Sequence, residues 1–250
     1  MDINETSDIP INRHPWELSR TGCVIKAIRP YLDEMRKAKA ALSYINVGAG
    51  DCYFDQTLLK AYPQDMCHAV DIGYKELAQA GNIRKYHRLE QVTGVLEWAL
   101  MMDSLEYIED DVAFLNTMLP QIADGGYFFF TLPACPFLFS DYDLLIKNLR
   151  RYSRGSFRKV VEQVPGLKIV RSHNFYTLLF IIRLLEKICR KTYDPEQYLT
   201  VMWQHKEESL KSRCLTALLN MDFFINKTLA KVGIRLPGLS MLVVCELSKH

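Results

Sequence analysis

The segment Ile45-Asn46-Val47-Gly48-Ala49-Gly50-Asp51 constrains the fold of this chain more than any other. It reads as a buried β-strand running into a glycine turn, with a helical pattern from Phe54 to Ala61 behind it. Glycine at 48 and 50 removes Cβ atoms that would hold a ligand off the backbone, and it permits the positive φ angles of a tight strand-to-helix turn. The unpaired N–H groups of the helix that follows face the same space, so the turn suits a nucleotide-like ligand. A dinucleotide fingerprint, G-x-G-x-x-G, needs a third glycine for close helix packing, and Tyr53 stands there. The pattern therefore counts against an NAD-dependent oxidoreductase and for another adenosyl ligand.

Beyond the turn, strand and helix patterns alternate, as in a parallel sheet covered on both faces. The pattern predicts a helix over 16–37 and strands over 42–47, 67–70, 83–87 and 95–102. It predicts helices over 74–80, 110–122 and 156–163, with Asp124-Gly125-Gly126 as the stop signal of the second. The aromatic run Tyr127–Leu132 reads as a buried strand, followed by strands over 167–172 and 240–246. A chain of 250 residues, 49% hydrophobic and without a Pro/Gly/Ser-rich linker, is expected to build one domain over 1–250. The seven cysteines are odd in number and form no C-x-x-C pair, which fits reduced thiols in a cytoplasmic protein better than a disulfide framework or a zinc site. Residues 1–11 lack the basic and apolar regions of a signal peptide, and the run Phe175–Ile182 is far shorter than the roughly 20 residues of a membrane span. The net charge of +2 points to no nucleic-acid partner.

Four segments in order resemble the class I S-adenosylmethionine-dependent methyltransferases: the glycine turn; Asp71 about 20 residues on; Asp103-Ser104-Leu105-Glu106-Tyr107-Ile108; and Ala123-Asp124-Gly125-Gly126. The resemblance implies a Rossmann-like, doubly wound α/β fold with a mixed seven-stranded sheet. It implies S-adenosyl-L-methionine as cofactor, with Gly48, Ala49 and Gly50 near its methionine part, Asp71 holding the ribose, Ile72 also among the cofactor-binding residues, and Met102 and Asp103 lining the cleft. A carboxylate at 71 can accept from both ribose hydroxyls, although it also fits the N-cap of a helix starting at Tyr74. Narrower segments, Arg150-Arg151-Tyr152-Ser153 and Leu236-Pro237-Gly238-Leu239-Ser240, are similar to a subgroup associated with glycan or polyprenyl-lipid chemistry. They suggest a small-molecule acceptor, lipid-like or phosphorylated.

The chain also departs from the family's pattern. Asn46 replaces an acid at the end of the first strand, Cys52 a glycine, Tyr107 a histidine, and Asn148 a histidine. The lost histidines leave Asp141, Asp143, Tyr152 and His173 as the candidate catalytic groups for an acceptor that must lose a proton. Arg150-Arg151 could hold an anionic acceptor bidentately, and a solvated face or internal ion pairs are the plainer reading. The substitutions also admit a catalytically silent member of the fold that acts through a protein partner.

Two additions flank the core: a cap helix region over 12–40 and a helical insertion over 175–237, before the last strand. Within the insertion Leu210, Cys214, Leu218, Met221, Ile225, Leu229 and Val232 recur at spacings of four and three, an apolar stripe on one face of a helix. A lid or homodimer contact is the plain reading. Because residues 147–191 carry twelve basic residues against Glu162 and Glu186, peripheral contact with a membrane surface is the other.

Overall fold

The computed structural model describes residues 13–75, 78–189 and 209–249. Its centre is an eight-stranded sheet: β1 (Ser43–Val47), β2 (Met66–Val70), β3 (Ala78–Ala80), β4 (Ile83–Tyr86), β5 (Leu96–Met102), β6 (Ile122–Pro133), β7 (Leu167–Phe175) and β8 (Ser240–Leu247). The spatial order is β3-β4-β2-β1-β5-β6-β8-β7. Strands β4, β2, β1, β5 and β6 run parallel, and β8 lies antiparallel between β6 and β7. The chain order reverses at β1, between β2 and β5, where the carboxyl ends of the strands open a crevice suited to a ligand.

Alternation along the strands feeds two cores. Tyr44, Trp98 and Phe129 point to one face, where the Tyr44 and Trp98 rings stack at 4.0 Å. That face is covered by α1 (Pro15–Met35), α2 (Tyr53–Ala61) and a long helix, α7 (Leu210–Lys231). Phe128 and Phe130 point the other way, toward α3 (Asp111–Met118) and α5 (Arg154–Glu162). This two-sided burial is why Tyr127–Leu132 carries a nearly unbroken aromatic and apolar run. A short α4 (Asp141–Leu145) follows β6, and α6 (Thr177–Ile188) follows β7.

Three sequence expectations change. The helix over 74–80 is not formed in its described part: Ala78–Ala80 is an exposed antiparallel edge strand on β4, which raises the sheet from seven strands to eight. The helix over 110–122 ends at Met118, gives way to a 3-10 turn at Leu119–Gln121, and Asp124-Gly125-Gly126 lies inside β6. Gly126 is required there, because a Cβ would stand 2.7 Å from Glu97 O.

The described part of the insertion forms helices, and the apolar stripe of α7 points outward. Leu219, Phe223 and Asn226 face inward, and burial of the two apolar side chains is worth about 1.5–3 kcal/mol each. Leu210, Cys214, Leu218, Met221, Ile225 and Val232 are exposed. Asp222 decides the orientation in part: it accepts from Thr177 N (3.1 Å) and Leu178 N (2.9 Å), so α7 caps the start of α6. Residues 1–12 and 190–208, which include the first residue of the expected cap region and part of the insertion, lie outside the described residues.

Candidate active site

The glycine turn is built as its sequence requires. Gly48 and Gly50 take φ of 75° and 54°. Gly48 N donates to Val70 O (2.8 Å) and Ala49 N to the same oxygen (3.2 Å), which ties the turn to the end of β2. Asp71 follows on that strand, and its carboxylate accepts from Gly50 N (2.9 Å) and Gly73 N (2.8 Å). No helix begins at Tyr74, so the N-cap reading of Asp71 falls away. Each Asp71 oxygen keeps a further lone pair for a ligand hydroxyl. Ile72 beside it is 77% exposed.

Cys52, in the place of a glycine, adopts the left-handed conformation with φ 63°. An L-residue there costs roughly 1–2 kcal/mol. Its buried thiol lies 3.0 Å from Tyr74 Oη, which in turn donates to Gly50 O (2.5 Å). Asn46 turns away from the crevice: its Nδ2 donates 2.9 Å to Asp55, which also accepts from Tyr44 Oη at 3.0 Å. Asp55 is fully buried, and burial pushes its pKa up to about 6.

At the end of β5, Met102 is buried and Asp103 adopts φ 48°. Thr131 Oγ1 donates to Asp103 Oδ1 (3.1 Å), and Arg20 of α1 pairs with Oδ2. The Arg20 guanidinium also lies over the Trp16 ring at 4.0 Å. Just ahead of the helix, Arg13 pairs with Glu17 (2.7 Å) and with Asp51, and lies 3.8 Å over the Tyr53 ring. Thus α1 closes on both the glycine turn and Asp103. The sequence reading missed Arg13, Glu17 and Arg20; their signal was charge at spacings of four and three on the inward face of an amphipathic helix. It also missed Glu106, which is 1% exposed, with its pKa raised by burial and then by Asp103. Glu106 Oε2 and Ser104 Oγ are buried without a hydrogen-bond partner among the described residues. Buried polar atoms of this kind call for a partner, and a polar ligand is one that could supply it.

The four candidate catalytic residues stand in different settings. Asp141 is exposed at the first turn of α4. Asp143 is fully buried, paired with Arg151 Nε at 2.8 Å, and accepts from Asn148 Nδ2 (3.2 Å) and Ser140 N (3.0 Å). Tyr152 Oη donates to Asp111 (3.0 Å), and burial drives its pKa upward. His173 is buried between rings, 5.3 Å from Phe223, with neither ring nitrogen partnered among the described residues; burial lowers its pKa to about 3. Arg150 likewise pairs with Asp111 (3.3 Å), so both members of the Arg150-Arg151 pair meet carboxylates of the chain, the plainer of the two readings.

No protein-family model matches the chain, and no curated protein matches its sequence. Solved structures match its fold. The plantazolicin methyltransferase BpumL, in complex with a desmethyl plantazolicin analogue and SAH, superposes over 93% of this chain and 84% of its own, with a TM-score of 0.52 and 7% identity. The methyltransferase in a complex with the Haloferax volcanii Trm112 activator covers 84% of this chain and 83% of its own, at TM-score 0.52 and 12% identity. The YcgJ protein from Bacillus subtilis covers 88% and 98%, at 0.50 and 12%. The chain therefore has the Rossmann-like fold of class I methyltransferases.

Proposed function

We propose that this protein transfers a methyl group from S-adenosyl-L-methionine to an oxygen or nitrogen of a small molecule, with a sugar or isoprenoid-lipid acceptor as the favoured class. The carrying observation is Asp71, whose carboxylate bridges Gly50 N and Gly73 N where β1 and β2 open the crevice. A sulfonium donor supplies an electrophilic methyl carbon: the acceptor's lone pair forms the new bond, and the C–S pair returns to sulfur.

The residues divide the work. Asp71 accepts from the ribose hydroxyls through its remaining lone pairs, and exposed Ile72 offers an apolar surface to the adenine. Gly48, Ala49 and Gly50 let the backbone approach the methionine part, between Met102 and the Arg20–Asp103 pair. Positioning of the nucleophile against the methyl supplies most of the acceleration. Asp141 is the open carboxylate, while Asp143 and Tyr152 tie the loop after β6 and the start of α3 to the segment before α5, and His173 packs inside β7. Glu106, whose raised pKa suits a group that exchanges a proton, is the reserve beside Asp103.

Calorimetric titration with S-adenosylmethionine and S-adenosylhomocysteine tests the reading. Saturable micromolar binding, lost in a folded Asp71→Ala variant, is the expected result. No heat and no thermal shift at millimolar cofactor would sink it, and would leave the silent, partner-binding reading in its place.

A further inference from the structure

The outer face of the α6–α7 insertion is apolar where a solvent-facing helix should be polar. On α7, Leu218, Met221, Phe224 and Ile225 are all exposed, Phe224 by 67%. Cys214 and Val232 extend the same stripe. At 22 residues, α7 carries that stripe over about 33 Å. On α6, Ile181, Leu185 and Ile188 add a second exposed row. These are side chains left outside after the helices have packed, because Leu219, Phe223 and Phe180 already supply the inward contacts. Contiguous apolar surface of this kind marks an interaction site.

Charge identifies the occupant. The two helices hold six basic residues and two acids, Glu186 and Asp222. Glu186 pairs with Arg183, and Asp222 is spent on capping α6. By helical periodicity Arg213, Lys227 and Lys231 fall on one flank of the stripe. That flank continues in Arg171 of edge strand β7, whose positive charge, with that of Lys231, lowers the Lys227 pKa after burial does. Arg235 follows α7 and lies near Arg154, whose buried Nη1 has no partner among the described residues. A second copy docked with α7 antiparallel across a twofold axis would bring this cationic flank against itself, whereas a bilayer meets it in every orientation of the face. An anionic surface would complement it.

We infer that the α6–α7 face lies on an anionic lipid bilayer, with the apolar stripe entering the headgroup boundary and the Arg213–Lys227–Lys231–Arg235 flank meeting lipid phosphates. The placement suits a lipid-linked acceptor. α6 leans on the loop after β6, where Lys187 Nζ donates to Phe137 O and the Phe137 and Phe180 rings meet at 6.2 Å. That loop borders the carboxyl ends of the strands. The inference does not depend on methyl transfer, and cofactor titration of the same samples keeps the two readings separate.

The test is flotation of the full chain with vesicles of phosphatidylcholine alone and with 30% phosphatidylserine, roughly the mixture that gives a strongly negative surface. The expected result is binding to the anionic vesicles that weakens with salt. Lys227→Gln/Lys231→Gln/Arg235→Gln is expected to reduce partitioning about a hundred-fold, at roughly five-fold per charge. Phe224→Asp/Ile225→Asp is expected to abolish it, with an unchanged circular-dichroism melt showing that the exposed substitutions leave the fold intact. Maleimide labelling of Cys214 in a Cys189→Ser background is expected to be fast in solution and slow on vesicles. Three outcomes would each overturn the inference: no binding to either vesicle, a concentration-dependent dimer that Phe224→Asp dissolves, or slow Cys214 labelling of the vesicle-free monomer, which would show the face covered by the chain itself.

Discussion

Replacing Asp55 with asparagine isolates the electrostatic cost of a carboxylate sealed under the glycine turn. Asp55 is fully buried, and its pKa stands at about 6 against 3.8 in an unfolded chain, because desolvation outweighs the hydrogen bonds from Asn46 and Tyr44. The folded state therefore holds the proton more tightly than the unfolded state. Stability from this group is complete below pH 4, falls as pH rises through about 6, and is flat above that. The difference of about two pH units corresponds to about 3 kcal/mol. An asparagine at 55 keeps the shape without the charge. Asn46 Oδ1, which has no partner among the described residues, can accept from the new amide if the Asn46 side chain rotates. Urea unfolding of both proteins at pH 4.5, 5.5, 6.5 and 7.5 should show the variant gaining on the natural chain by about 2–3 kcal/mol across that range. The same stability difference at every pH would refute the reasoning. A gain in the opposite direction would show that the hydrogen bonds to the ionised carboxylate dominate its burial.

Two further substitutions test the fold around the site. His173→Phe should stabilise the protein by about 2 kcal/mol more at pH 5 than above pH 6.5, because the buried ring resists the proton that the unfolded chain takes up; thermal melts at pH 5 and 7.5 check this. In line with that reading, the His173 ring should remain neutral in NMR spectra recorded at pH 5. Gly238→Ala should destabilise by about 3 kcal/mol or more, since its Cβ would stand 2.3 Å from the Phe175 carbonyl oxygen; chemical denaturation measures the loss.

Residues whose role is set by their neighbours in the chain are legible in the sequence. The turn at Gly48 and Gly50, the strand before it and the helix after it depend on local backbone freedom and on apolar spacing, so the crevice and Asp71 follow from residues close together in the chain. The same holds for the aromatic strand β6, whose run of buried rings requires cover on two faces. Groups whose role depends on distant partners are not legible in this way. Asp143 and Arg151 have the chemistry of catalyst and anion clamp until they meet each other, eight residues apart, in a buried pair. Arg20 is an ordinary helix residue until α1 folds over β5 and sets it against Asp103, 83 positions away.

What the sequence determined by itself was the order of elements, the α/β class and the glycine turn, all products of periodicities of two and 3.6 and of glycine's freedom at positive φ. The tertiary structure alone decided direction and partnership. Ala78–Ala80 became a strand because β4 offered an open edge, an offer no local propensity can reveal. Helix α7 has apolar residues on both sides, so spacing announced a stripe without saying where it would point. Asp222 on the N-terminus of α6, with Leu219 and Phe223 against the sheet, turned that stripe outward. A helix's period is fixed within one turn, whereas its rotation is fixed by whatever it packs against, and that surface is assembled from residues far apart in the chain.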